Sequence, residues 1–406
     1  MRSINAPGTR EGALRSLALI AQSSMKLPLS FALLLSSCGL HAARWSTIVE
    51  PANQIFPALE IASAKLLSRA AKPLNLPTVL GDQHGLIGIR IKAERANQRV
   101  QLQVSAPEIL QTSTLSVVLP NAGQTYELYP AVRWRYAALA KVRAARPVNL
   151  HFELQVDAKP NEKKTQRVQV RSLNDALFSI ADERGNEALD FNWLFAAYVN
   201  EHSPVVEQIV AAALQDALVE EFDGYATGDD EQVYAQVFAI WNALQRRGIS
   251  YSNLLRVPQA NRNVLSQHVR FVEESWRNAQ ANCVDGSVLL ASVLRKIGIA
   301  PTLVLLPGHM LLGFALDESG QRLAYLETTM LGGSNQALLK GARGARNTRA
   351  SVSNKGSFDS FEAALNEAQK QVNEAGNAFQ NQRRSEYQMI DVQAARERGV
   401  VPIVPR

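Results

Sequence analysis

Residues 281–330 read ANCVDGSVLLASVLRKIGIAPTLVLLPGHMLLGFALDESGQRLAYLETTM. After Cys283, Val284, Val288, Leu289, Ala291, Ser292 and Leu294 recur with a helical period. That period predicts a helix starting at the cysteine and stopping at Gly298, where glycine supplies a C-terminal cap. PTLVLLPGHMLLGFAL (301–316) predicts two short strands broken at Pro307-Gly308. A turn at Asp317-Glu318-Ser319-Gly320 returns the chain through RLAYLETTM. The coarse order is helix, strand, strand, strand.

Three chemical groups fall at element ends. Cys283 sits at a helix N-terminus, where the dipole and unpaired N–H groups stabilise a thiolate. His309 opens one strand and Glu327 lies near the end of the next. If Asp317–Ser319 form a three-residue loop, His309 and Glu327 stand directly opposite each other with side chains on one face. A loop changed by one residue puts them on opposite faces. On one face, the carboxylate orients the imidazole and the imidazole holds the thiolate: nucleophile, base and orienter. The competing reading of Cys283 is a small apolar filler of the core. Asp285 reads as a first-turn carboxylate facing the helix dipole.

The order of a cysteine at a helix start, then a histidine and an acid on successive strands, resembles the transglutaminase-like fold, a circularly rearranged relative of papain. NCVDGSVLLASVLRKIGIAPTLVLLPGHMLLGF (282–314) carries the resemblance, which covers roughly residues 230 to 335. The family usually has Asp as its third residue; here Glu327 stands there, followed by Thr328 and Thr329. The resemblance implies that Cys283, His309 and Glu327 form a catalytic triad acting on an amide through a thioester acyl-enzyme, without cofactor or metal. Water as acceptor gives a cysteine peptidase or amidase; an amine gives a transglutaminase-like acyltransferase. The family also holds an oxyanion, for which the Cys283 N–H is one donor and Gln267, in SQHVRF, a candidate for the second. His268 is the rival base. The alternative function is a catalytically inactive binding module for a protein or cell-wall partner.

The remaining chain sets the context. Its 46% hydrophobic and 20% charged residues are ordinary for a soluble globular protein. Net charge is +6, with +3 of it in residues 1–37, and no dense basic face interleaved with aromatics appears. That balance argues against a nucleic-acid partner. Six scattered histidines lack metal-ligand spacing, and no phosphate-cradling glycine motif is present. MKLPLSFALLLSSCGL (25–40) has the positive start and short apolar core of a secretory signal, too short for a mature membrane span. Leu35-Ser36-Ser37-Cys38 resembles the bacterial lipobox, which implies lipid attachment at Cys38 and an envelope location on the periplasmic side; an ordinary signal peptide cut near Ala42 or Ala43 is the alternative. Gly39 follows in place of an Asp retention signal, so the outer membrane is expected over the inner. Residues 1–24 then precede the true initiator, Met25. The chain has two cysteines. With Cys38 lipidated, Cys283 is left unpaired, the pattern of a reactive thiol in an exported protein; a Cys38–Cys283 disulfide is the alternative.

The expected fold class is α+β, an N-terminal antiparallel β-sandwich followed by a transglutaminase-like domain. Residues 1–37 form the signal and 38–75 a helical segment containing IFPALEIASAKLLSRAAK. Residues 76–173 form the sandwich, from period-two stretches such as RVQLQVSA and VNLHFELQVDA. Residues 174–406 form the catalytic domain, with Asp190–Val199 already helical and a polar C-terminal tail. In the catalytic domain Val233, Val237, Ile240, Trp241 and Leu244 form one buried stripe, capped by Asp229 or Asp230. The tail holds one surface helix opening at the capping box Asp359-x-x-Glu362. The expected substrate is a peptide or protein amide, cell-wall peptide among them.

Overall fold

Val148, Leu150, Phe152, Leu154 and Val156 are all buried, while the residues between them turn outward. This is the alternation of a sheet with one face on a core. The computed structural model describes residues 45–69, 77–82, 84–181, 187–252, 263–332, 354–380 and 386–405. The chain divides into two units between Phe191 and Asn192, and returns to the first unit over residues 263–266. The architecture is mixed α+β.

The first unit holds strands β1 (Trp45–Val49), β2 (Gln54–Ile55), β3 (Val79–Gly81), β4 (Ile87–Lys92), β5 (Gln98–Ala106) and β6 (Leu110–Leu119). They are followed by β7 (Thr125–Tyr129), β8 (Arg133–Trp134), β9 (Arg146–Val156), β10 (Glu162–Val170), β11 (Asp175–Ala181) and β12 (Glu187–Asp190). One sheet runs β1-β4-β7-β3 and a second runs β2-β10-β9-β5-β6-β8. Ile89, Ile91, Tyr126 and Leu128 of the first share one apolar cluster with Leu102, Val104, Leu150 and Phe152 of the second. Pairing is antiparallel within both sheets except for β3 with β7 and β2 with β10.

Two boundaries differ from the sequence expectation. Residues 45–49 are a strand antiparallel to β4, not helix; Trp-Ser-Thr-Ile-Val is rich in β-branched and aromatic residues that fit a half-buried pleated surface. The helical period that follows is split into α1 (Pro57–Ala62) and α2 (Ala64–Arg69) at Ser63, whose hydroxyl donates to the Leu59 carbonyl at 2.7 Å. The first unit also extends past residue 173, because β11 and β12 pair antiparallel and stay with it. A short helix, α3 (Tyr136–Leu139), completes this unit.

In the second unit, residues 192–198 form a 3-10 turn rather than the α-helix expected from 190. Helices α4 (Pro204–Gln215) and α5 (Asp230–Arg247) follow. Asp229 caps α5 through the Glu231 N–H at 3.0 Å, and Gly248 ends it with φ +82°. The stripe read from the sequence faces inward: Val233, Val237, Ile240, Trp241 and Leu244 are buried. Next come β13 (Ser250–Tyr251), then β14 (Val264–His268), whose residues 264–266 belong to the first unit, then α6 (Val272–Asn278), β15 (Gln280–Ala281) and α7 (Cys283–Lys296). Then β16 (Pro301–Leu306), β17 (His309–Ala315), β18 (Leu323–Leu326), α8 (Asn354–Ala375), β19 (Gln388–Asp391) and α9 (Val392–Arg398) complete the unit.

The order β18-β17-β16-β19 makes a four-stranded antiparallel sheet. Helix α7 packs on β16 and β17, and α8 packs on β18. The tail helix starts at Asn354, so Asp359 lies inside it and does not cap it. Nor is it only a surface helix: Phe361, Ala364, Ala368 and Val372 form a buried stripe. Ala368 and Val372 meet Val304 and Leu311 of the sheet, and Phe361 meets Trp241 with ring centroids 6.0 Å apart.

Candidate active site

The first turn of α7 is fixed before any chemistry is considered. Asn282 is its cap: the Asn282 Oδ1 accepts the Asp285 N–H at 2.9 Å, and the Asp285 Oδ2 accepts the Asn282 N–H at 3.0 Å. Asp285 also accepts from Arg270, at 2.7 Å from its N–H and 2.6 Å from its Nη1. Both side chains are buried. Burial pushes the Asp285 carboxyl above its ordinary range, and the hydrogen bonds from Asn282 and Arg270 pull it only part of the way back. Asp285 is thus the first-turn carboxylate expected, and in addition a tie to the segment before α6.

Cys283 is the first helical residue, half-buried, with a free thiol. Its carbonyl accepts from the Ser287 hydroxyl at 2.8 Å and from the Thr328 hydroxyl at 3.3 Å. The approach of Thr328 is close because residue 286 is glycine: a Cβ there would lie 2.9 Å from Thr328 Oγ1.

His309 follows the tight turn at Pro307-Gly308, in which Leu306 pairs with His309 and Gly308 has φ +69°. Its Nε2 lies 2.6 Å from Glu327 Oε2. Cys283 is a near neighbour of the same imidazole and acts to raise it. The three residues named from the sequence therefore meet.

They meet in a different register. Ala315 pairs with Leu323 and the Leu316 N–H donates to the Arg322 carbonyl at 2.9 Å, so the turn takes residues 317–321. This is two residues longer than the expected loop. Asp317 organises it, accepting the Ser319 N–H at 3.0 Å and Arg322 Nε at 2.7 Å, with Gly320 at φ +67°. An extension by two preserves the face. With Gly313 opposite Tyr325, continuing the register puts Glu327 across from Leu311 and diagonal to His309. Glu327 sits just past the strand as the cap of the 3-10 turn Thr328–Met330. Its extra methylene reaches across that diagonal.

The Glu327 carboxylate is fully coordinated. Oε1 accepts the Thr329 N–H at 3.0 Å and the Thr329 hydroxyl at 2.6 Å. Oε2 accepts from His309 and, at 3.2 Å, from Gln371 Nε2. Donors thus occupy all of the acceptor sites an ionised carboxylate offers. Burial acts to raise Glu327, and the hydrogen bonds from His309 and Thr329 outweigh it, so the group is held below its ordinary range. His309 moves the other way, up to about 10, first through the neighbouring Cys283 and then through its hydrogen bond to Glu327. Cys283 and Glu327 thus both favour the protonated ring.

Tyr251 stands beside this group. Burial raises its phenol first, and the charges of Cys283 and Glu327 raise it further. It is placed by pairing with Ala281, two residues before the cysteine. Nothing in Ser250-Tyr251 itself signals this role. Gln267 is on β14, and its Nε2 donates to the carbonyl of the next residue, His268, at 3.0 Å. No hydrogen bond joins Gln267 to Cys283 or His309 among the described residues. Cys38 lies outside the described residues. Among those described, no helix is long and apolar enough to cross a membrane. Comparison with protein-family models, with curated proteins and with solved structures finds no match for this chain.

Proposed function

We propose that the second unit is a transglutaminase-like cysteine enzyme that acts on amide bonds. The observation that carries the proposal is the His309–Glu327 hydrogen bond beside Cys283, on a carboxylate saturated with donors. A carboxylate so held stays ionised, and an ionised carboxylate stabilises the imidazolium that a thiolate requires.

The steps follow from the atoms. The Cys283 thiolate attacks the amide carbon, forming the S–C bond and moving the carbonyl π pair onto oxygen. The N–H of Cys283, at the first helical position and without an intrahelical acceptor, faces that oxyanion. His309 Nδ1–H protonates the departing amine as the C–N bond breaks, leaving a thioester. Water, deprotonated by His309, then releases the acid and restores the thiol; an amine entering in place of water forms a new amide. Gln267 serves as second oxyanion donor in this scheme by turning its amide from the His268 carbonyl. The substrate is a peptide or protein amide, and hydrolysis is the favoured outcome. Export, with lipid attachment at Cys38, places the enzyme on the periplasmic side of a bacterial envelope, where cell-wall peptides are the amides at hand.

The test is mass spectrometry of a chain beginning at Gly39, incubated with glutamine-containing and cell-wall peptides with and without a primary amine. The expected result is an acyl adduct on Cys283, hydrolysed product in water, and neither with Cys283→Ala. Absence of any adduct across both donor classes, from a protein whose thiol alkylates freely, would contradict the function.

A further inference from the structure

The triad carboxylate is gripped from a part of the chain that the Cys–His–acid pattern does not include. Helix α8 belongs to the polar tail, and it touches Glu327 twice. The Glu327 N–H donates to the Ala364 carbonyl at 3.1 Å. Two turns further along the helix, Gln371 Nε2 donates to Glu327 Oε2 at 3.2 Å, the oxygen that also receives His309. Both contacts lie along the stripe that is buried on Val304 and Leu311.

The amide of Gln371 has one orientation that works. Its Nε2 also donates to Glu367 Oε1 at 3.0 Å, one turn back on the same helix. Two carboxylates therefore converge on one amide, and only the nitrogen, with two N–H groups, can satisfy both. Glu367 holds the amide, the amide holds Glu327, and Glu327 holds His309.

We infer that Gln371 is a positioning residue of the triad, and that α8 is a working part of the active site. The inference rests on the proposed role of Cys283 as a nucleophile. Gln371 does not touch the thiol. It acts through Glu327 by filling the last acceptor site on Oε2, which fixes the carboxylate in its orientation toward Nε2. A tail helix that leaves the sheet would withdraw both the Gln371 N–H and the Ala364 carbonyl, and would slacken the triad without altering any of its three members.

The test uses the full mature chain and reads the rate of Cys283 alkylation by iodoacetamide between about pH 5.5 and pH 9, with the ring protons of His309 followed by NMR. Gln371→Met keeps the length and removes the donor. It is expected to lower alkylation at about pH 6 by roughly tenfold, the scale of one hydrogen bond to a charged group. The rate near pH 9 should stay unchanged, and the His309 titration should move down, taking with it the urea midpoint only at pH values below that titration. Gln371→Arg restores an N–H donor and is expected to recover most of the low-pH rate. A purely structural helix contact would move the urea midpoint and leave the shape of the pH profile intact. If Gln371→Met leaves the profile unaltered while Glu327→Gln collapses it, the positioning role is overturned and the nucleophile stands. If neither variant nor His309→Ala alters the profile, the nucleophile reading fails and Gln371 falls with it.

Discussion

At the residue scale the central question is how a glutamate serves as the carboxylate partner of His309. Glu327 is not on the strand but one step past it, and must span a diagonal to His309. The longer side chain makes that span while leaving Oε1 to the Thr329 N–H and hydroxyl. Glu327→Gln keeps the shape but presents an amide where four donors converge. Low-pH thiol alkylation is expected to fall at least tenfold, on the scale of a lost charged hydrogen bond. That His309 and Glu327 fall at or beside neighbouring strands was legible from the period-two pattern; that they share a face depended on the loop between them. The loop length was not legible, because Asp317 organises a longer turn through contacts with Ser319 and Arg322. Stability should carry the signature of the same group. His309 is raised from 6.5 to about 10, so its stabilising contribution is fully present below about pH 6.5 and is lost as pH rises through about 10. Urea midpoints of the native chain and His309→Gln should therefore converge as the pH is raised across that window.

At the element scale, the site depends on how closely α7 approaches the turn after β18. Gly286 faces Thr328, and a Cβ would meet Oγ1 at 2.9 Å and Cβ at 3.0 Å. Gly286→Ala has helical backbone geometry and gains helix propensity, so its cost falls on the contact. Overpacking costs about 1–3 kcal/mol, and here it displaces the turn that carries Glu327. Chemical denaturation should show that loss, and the His309 resonance should shift with it. The start of α7 was legible from the helical period that follows Cys283; the capping pair Asn282 and Asp285 was not read from it. The roles of Arg270 and Tyr251 were not legible, because they come from segments whose local pattern says nothing about where they dock. The tail illustrates the same limit: Asp359-x-x-Glu362 has the form of a cap, yet packing of Phe361, Ala364, Ala368 and Val372 carries the helix back to Asn354. Tertiary burial outweighs a capping signal worth about 1 kcal/mol.

At the scale of the whole molecule, the candidate site falls within one of the two units. Cys283, His309, Glu327, Tyr251 and Gln371 all belong to the second unit. Phe152 is 1% exposed in the core shared by the two large sheets of the first. Phe152→Ala is expected to cost about 3–5 kcal/mol of that unit's stability, measured by urea denaturation, while the pH profile of Cys283 alkylation under native conditions stays as it was. The two-sheet character of the first unit was legible because its strands alternate cleanly. Its limits were not: Trp45–Val49 and β11 gain their strand character from partners distant in sequence or from turns that carry no strong signal. The most direct measurement of the central claim remains on one sulfur atom. Alkylation of Cys283 should be followed from about pH 5 to pH 9 in the native chain and in His309→Ala. A thiolate paired with an imidazolium reacts well below the ordinary cysteine value of about 8.5. The account requires strong low-pH reactivity in the native chain and its loss in the variant. A thiol that titrates as an ordinary cysteine in both proteins would contradict it.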